Sequence, residues 1–243
     1  NSYTLTPNVE NLIFEGTGDF SGTGNDLANV IRGGQGDDVL DGGGGADRLQ
    51  GLDGNDTYIV DHELDLRVEA NDAGIDTVFA SVSHTLRARV ENLVLTGVAD
   101  INGTGNAFDN VITGNDGANV ISGEVGSDIL AGGDGDDSLT GGRGQDRLEG
   151  GIGNDSLEGG LHADVFVFGP GFGDDTVADF DSNPAGGQDL LDVSAMGINA
   201  LMFAALVDIQ ASGSDTIVTI GLNSITLTGV AAGSVTIDDF ILT

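Results

Sequence analysis

The sequence predicts an all-β protein, a parallel β-roll wound in two arrays, with strand-rich inserts and a β-rich C-terminal cap carrying at most one short helix. Three observations carry this. Over residues 123–167 five nine-residue units follow without a gap (GEVGSDILA, GGDGDDSLT, GGRGQDRLE, GGIGNDSLE, GGLHADVFV), with glycine first, aspartate sixth and a large apolar residue eighth. A shorter run of the same period fills residues 24–59 (GNDLANVIR, GGQGDDVLD, GGGGADRLQ, GLDGNDTYI). Superimposed on both is an 81-residue repeat: SYTLTPNVENLIFEG at 2–16 returns as SHTLRARVENLVLTG at 83–97, and FSGTGNDLANVI at 20–31 as INGTGNAFDNVI at 101–112.

Within a unit, glycines at positions one, two and four allow positive φ and close packing, so each unit is expected to begin in a tight turn. The half around the apolar eighth residue favours a short strand with one inward side chain. Two units then close one flattened coil, and coils stack at strand spacing, about 4.8 Å. Stacking lines up the aspartates of every second unit. Like charges about 5 Å apart repel by roughly 0.8 kcal/mol per pair in water, and about four times that at an effective dielectric near 20. Such ladders call for counter-ions. Carboxylates with backbone carbonyls in a flexible loop suit calcium better than magnesium. Zinc and copper are disfavoured, because the repeats hold no cysteine and one histidine, His162.

Taken in order, residues 1–82 form the first long repeat: a strand segment, the short array 24–59 and a strand-rich insert. Residues 83–167 form the second, with its array at 105–167, and residues 168–243 a C-terminal region. The insert alternates as strands do in TYIV, LRVEA, DTVFASV and ENLVLTG across residues 57–96. G-x-D-T-apolar recurs at 54–58, 74–78, 173–177 and 213–217 and reads as the turn that re-enters a coil after an insertion. Its Asp76 and Asp175 are candidates for auxiliary calcium ligands or for turn caps. At the leading edges the sixth position is Asn29, Asn110 or Asn119, which keeps an oxygen but loses the charge. Ion sites there are expected to be weak or empty, with those coils held by stacking of Ile31, Ile112 and Ile121. Because the first copy opens in mid-pattern, the chain reads as the C-terminal piece of a longer protein. Residues 199–207 are expected to form one short helix N-capped by Asn199, followed by strands at 216–220 and 224–228.

The nonapeptides resemble the RTX family, the GGxGxDxUx repeats of bacterial secreted proteins, most closely over residues 132–158. FVFGPGFGDDTVADFD and QDLLDVSAMG resemble the region that closes the roll in serralysin-type C-terminal domains, where a solenoid needs a cap over its last apolar face. The final DDFILT is similar to the uncleaved signal read by type I secretion systems, and an ordinary terminal strand explains it as well. The resemblance implies a calcium-binding β-solenoid that folds on meeting calcium. The expected metal ligands are Asp38, Asp47, Asp56, Asp128, Asp137, Asp146, Asp155, Asp164 and Asp175, with the turn backbone at Gly33, Gly36, Gly132, Gly135, Gly141, Gly144, Gly150 and Gly153. About four to six calcium ions are expected, each contributing roughly 1.4 kcal/mol at ten-fold saturation.

Composition narrows the remaining functions. A formal charge of −33, from 40 acidic against 7 basic residues, excludes nucleic acid and argues against anionic lipid. With no cysteine there is no disulfide, and no stretch is long enough for a membrane span. No basic-then-apolar start supports an N-terminal export signal. His62-Glu63 begins like HExxH, but position 66 is leucine; nucleophile-elbow, Walker A and dinucleotide motifs are lacking. His62, His84 and His162 are scattered, and no carboxylate pair stands out as a glycosidase pair. Isolated Thr23 and Thr104 make no ice-binding row. The expected function is therefore non-catalytic: a calcium-binding C-terminal region of a larger type I-secreted bacterial protein, folding outside the cell to stabilise or present an upstream domain. Its expected partners are calcium, the type I secretion apparatus, that upstream domain, and a polysaccharide or cell-surface partner. The alternatives are the repeat stalk of a surface-layer protein or adhesin, and a polysaccharide-binding module like those of alginate epimerases.

Overall fold

In the computed structural model, which describes residues 1–67, 74–183 and 187–243, the two arrays wind into one continuous parallel solenoid. A twelve-stranded sheet takes every alternate strand of the winding from Ser2–Thr4 to Phe240–Ile241. It passes from the first array to the second without a break, through Thr57–Val60, Thr77–Ala80, Asn92–Leu95 and Val111–Thr113. The opposite face is divided. A four-stranded sheet runs from Asn11–Ile13 to Leu66–Arg67, and a nine-stranded sheet starts at His84–Thr85. Of the LRVEA strand, Leu66–Arg67 is observed and the rest lies outside the described residues.

The period of nine is what sets the register. Leu130 pairs with Leu148 and Leu139 with Leu157, so every second unit stacks on itself. Strands of the second array are longer than the apolar half alone, six residues in Ile129–Asp134 and Ser138–Arg143. Complete neighbouring units pair their glycines too, Gly133 with Gly151 and Gly142 with Gly160. In the first array the neighbouring units are incomplete, and strands such as Val39–Asp41 stop after three residues.

The eighth-position side chains, with Leu93 of the second strand segment, fill the interior. Ile31, Leu40, Leu49, Tyr58, Leu93, Ile112, Ile121, Leu130, Leu139, Leu148, Leu157 and Phe166 are all fully buried. Each such side chain contributes about 1.5–3 kcal/mol of burial. Ile31, Ile112 and Ile121 belong to this column, as expected of the leading edges.

Beyond Val165–Val167 the winding lengthens to carry the cap. Asp174–Val177 pairs in parallel with Asn223–Leu227, which begins an antiparallel hairpin with Asp215–Ile220 and Val207–Ser212. The helix is shorter than the sequence suggested: only Phe203–Leu206 is helical, with Met202 at its N-cap. The Asn199 side chain accepts from the Leu201 and Met202 amides at 3.0 and 3.2 Å, so it caps the turn that leads into the helix. Phe203 packs edge-on against Phe240, centroids 4.8 Å apart. The terminal segment is the last rung of the long sheet, Phe240–Ile241 pairing with Leu190–Asp192.

Re-entry turns behave as expected at Gly54, Gly74 and Gly173, whose φ values are 124°, 133° and 93°. A side chain on any of the three would meet a glycine carbonyl of the coil before. Gly213 differs: it has open space around it and turns the antiparallel hairpin.

Candidate metal centres at the turns

Each coil turns through positions four to six, and two ladders of hydrogen bonds hold the turns together. On the inside, the position-six aspartate gives one oxygen to the coil before it. Asp128 N–H donates to Asp146 Oδ1, Asp146 N–H to Asp164 Oδ1, and Asp137 N–H to Asp155 Oδ1, each at 2.8 Å. On the outside, position five works the other way: Ser127 N–H donates to Asp109 Oδ1 at 2.7 Å and Asn154 N–H to Asp136 Oδ1 at 2.9 Å. Stacking thus satisfies the turn amides from both directions.

The second inner oxygen is left over. Oδ2 of Asp47, Asp56, Asp76, Asp128, Asp137, Asp146, Asp155 and Asp164 is buried and accepts no hydrogen bond. A buried carboxylate oxygen without a donor is costly, because the charge has left water and gained nothing in return. Burial accordingly pushes Asp56, Asp128 and Asp164 up to about 7, and Asp47, Asp76 and Asp137 to about 6. It raises Asp146 and Asp155 as well. Neighbouring aspartates add to the effect, Asp146 at Asp128 and Asp189 at Asp164.

This chemistry fits a hard divalent cation, which supplies the missing partner to Oδ2 without disturbing Oδ1. Among the described residues no three acidic or histidine side chains converge on one point. An ion held by these carboxylates would draw its remaining oxygen ligands from backbone carbonyls, as calcium tolerates.

The glycines serve the site in two ways. Position one needs space, not positive φ: a β-carbon on Gly132, Gly141 or Gly150 would collide with Oδ2 of Asp137, Asp146 or Asp155, and one on Gly33 with Asp38. Position four needs conformation. Gly36, Gly135, Gly144 and Gly153 have φ of 118°, 118°, 146° and 158°. Position two shares that demand, so Glu124, at φ 77°, holds a conformation disfavoured for a side chain, as does His162 at position four, at φ 94°.

The structure distributes the expected ligands over two edges. Asp38, Asp56, Asp128, Asp146 and Asp164 lie on one, continuous through Asp76, Glu91 and Asn110. Asp47, Asp137, Asp155 and Asp175 lie on the other. Asp38 differs from its neighbours, since Oδ1 accepts from Phe20 N–H at 2.8 Å and Oδ2 from Gly34 N–H at 2.7 Å. Asp175 is buried and raised to about 7, and caps Asp155 N–H. Three members of the ladders were not foreseen, Glu91 on the first edge among them. Asp65 stands nine residues after Asp56, so the period itself pointed to it; its Oδ1 caps Asp47 and its Oδ2 accepts from His62 N–H. Asp189 caps Asp164 across an insertion, and no spacing signalled it.

At the asparagine turns a side-chain amide that donates hydrogen bonds stands where the aspartate turns have the unpartnered Oδ2. Asn119 Oδ1 accepts from Asn115 N–H at 2.9 Å, and its Nδ2 donates to Ile101 O at 2.7 Å and Asn115 Oδ1 at 2.9 Å. Asn115 in turn donates to Thr96 O and Ala99 O. The pairs Asn25–Asn29 and Asn106–Asn110 repeat the arrangement. These GNxxxN turns bind the glycine-poor loops before them with neutral donors.

The chain is similar to known proteins in two ways. The family profile of the RTX calcium-binding nonapeptide repeat (four copies) matches residues 23–58, 104–139 and 140–177. No curated protein matches the chain. Among solved structures, the AlgE6R2 subunit of the Azotobacter vinelandii mannuronan C5-epimerase is 28% identical, with a TM-score of 0.39, over 59% of this chain and 92% of that one. The AlgE6R3 subunit of the same epimerase is 29% identical, with a TM-score of 0.25, over 57% and 81%. The extracellular lipase LipA of Serratia marcescens is 17% identical, with a TM-score of 0.36, over 98% of this chain and 41% of the lipase. Glycine spacing, aspartate ladders and the matched stretches lead to one assignment: the chain carries RTX calcium-binding nonapeptide repeats over residues 23–58, 104–139 and 140–177.

Proposed function

We propose that this chain is a calcium-operated folding module: the C-terminal region of a larger bacterial protein, exported by a type I system and folded outside the cell to stabilise or present an upstream domain. The observation that carries the reading is the set of buried Oδ2 atoms without partners. In a calcium-poor cytosol these oxygens oppose folding, and the acidic, glycine-rich chain stays extended enough to be threaded. Outside, calcium supplies the partner and the rolls close. Extracellular calcium modules bind with Kd of about 10⁻⁴ to 10⁻³ M. Four or five sites at ten-fold saturation supply about 6 to 7 kcal/mol, comparable to a whole domain's stability of about 5 to 15 kcal/mol. The task of this segment is binding, not catalysis.

Circular dichroism during a calcium titration tests the switch, with strand signal expected to grow as metal is added. A chelated protein that kept its full strand signal and thermal transition would refute it. The unbroken long sheet across both 81-residue copies favours a second reading, an extended stalk of stacked copies. Many further copies and no enzyme domain in the parent gene would decide for the stalk.

A further inference from the structure

We propose that the C-terminal cap carries a lipid-binding tip, formed by the apolar segment at residues 200–206 and the hairpin turn at Leu222, which enters the surface of a zwitterionic membrane.

The segment reads ALMFAAL. Six of its seven residues are exposed and all six are apolar; Phe203 alone is buried. A helical turn at a protein surface ordinarily keeps a polar face toward water, and one that is apolar all round belongs in apolar surroundings. This one is fixed in place. Asn199 caps the turn before it, Phe203 packs on Phe240 of the last rung, and Val207 continues into the hairpin strand beside Ile220. At that same end of the hairpin the two-residue turn Gly221–Leu222, closed by the pairing of Ile220 with Asn223, presents a further leucine. Leu201 is 95% exposed and Leu222 99%, the highest values of any large apolar residue among those described. Met202 and Leu206 are exposed on the same segment.

The distribution of charge selects the kind of surface. Of the 40 acidic residues only Asp208 and Asp215 fall within residues 193–237, and no basic residue does. The cap is thus a nearly neutral end on a strongly acidic roll. Anionic lipid repels that roll, and no arginine beside the tip attracts a lipid phosphate; a zwitterionic surface imposes neither condition. Shape separates lipid from protein. Leucines with 95% and 99% of their surface in water project from the molecule instead of lining a groove. A protein partner, a second copy of this cap included, has to supply a matching pocket to bury such a projection, whereas acyl chains close around it. One helical turn and one hairpin tip reach only the boundary between headgroups and acyl chains.

The test uses the full chain at saturating calcium and vesicles of phosphatidylcholine. The chain has no tryptophan, so Leu222→Trp places the sole indole at the tip. With vesicles its emission should shift to the blue and be quenched by lipids brominated on their acyl chains. In flotation, Leu201→Asp and Leu222→Asp should each lower the partition onto vesicles about tenfold or more. Both should leave the melt in calcium unchanged, because these side chains already stand in water in the free protein. Binding should persist at high salt, since no ion pair supports it. An indole that neither shifts nor is quenched, or flotation that both aspartate variants leave intact, would overturn the proposal. A wild type that stays off the vesicles and sediments as a dimer, split by Leu222→Asp, would overturn it too and assign the tip to a second copy.

Discussion

Replacing Asn119 by aspartate exchanges an amide for a carboxylate of nearly the same shape, and so asks whether amide hydrogens stand in for a cation at the GNxxxN turns. Two donated hydrogen bonds are lost, to Ile101 O at 2.7 Å and to Asn115 Oδ1 at 2.9 Å, and each becomes a contact between acceptors. Asn119 is 1% exposed, so water cannot take their place. With about 1 kcal/mol per bond and about 1–3 kcal/mol for Ile101 O, left unsatisfied while Asn115 Oδ1 keeps Gly117 N–H, the loss in chelator is about 3–5 kcal/mol. For a chain of this length that lowers the melting temperature by about 6–20 °C. Calcium should reverse most of the loss, and the variant should bind one more ion than the wild type. Thermal melts followed by circular dichroism, with and without chelator, and a calorimetric ion count provide the assay. A variant as stable as the wild type in chelator, or one that calcium does not rescue, would show that the asparagines do not replace a cation.

Gly141→Ala puts a methyl group where Asp146 Oδ2 and the Gly159 carbonyl already lie, so calorimetry should find one calcium fewer and melts a clear loss of stability. His162→Gly should do the opposite: it relieves a left-handed residue at φ 94°, worth about 1–2 kcal/mol, and a melt in calcium should rise by a few degrees. Proton linkage gives a third expectation. Burial holds Asp128 and Asp164 at about 7 and Asp137 at about 6, above the ordinary 3.8, so across that window the calcium-free fold binds more protons than the unfolded chain. Its stability is present below the ordinary value and falls as pH rises towards 7; in chelator the protein should melt higher at pH 5 than at pH 8. With calcium, the half-saturating concentration should rise as pH falls through 7 and 6, and a pH-independent transition in chelator would contradict the buried carboxylates.

The rows at positions six and eight were legible because a fixed period of nine leaves no other reading of Asp128 to Asp164 or of Leu130 to Phe166. The role of position one was not. Glycine there reads as a φ requirement, and only the position of Oδ2 shows that it is a requirement for space. Asparagine at position six read correctly as a lost charge, but the first asparagine of each GNxxxN turn, at Asn25, Asn106 and Asn115, gained meaning only from carbonyls sixteen and more residues upstream. Asp38 looks like its neighbours in sequence; Gly34 N–H, which occupies its Oδ2, distinguishes it. In the cap no period existed, so a helix from Asn199 was an overextension of a capped turn.

The length of the long repeat has a consequence for the arrangement of these turns. Two nonapeptides make a coil, and 81 residues hold nine of them, an odd number of half-coils. The second copy must therefore begin on the face opposite to the first. Ser2–Thr4 lies in the twelve-stranded sheet while its counterpart His84–Thr85 opens the nine-stranded one, and Asn11–Ile13 and Asn92–Leu95 have exchanged faces in the same way. The asparagine turns exchange edges with them: Asn29 N–H donates to Asp47 on one edge, and its counterpart Asn110 N–H donates to Asp128 on the other. Had the repeat been an even number of half-coils, Asn29 and Asn110 would have shared one edge. With nine, amide-closed turns occur on both edges, so neither carboxylate ladder consists of charge alone.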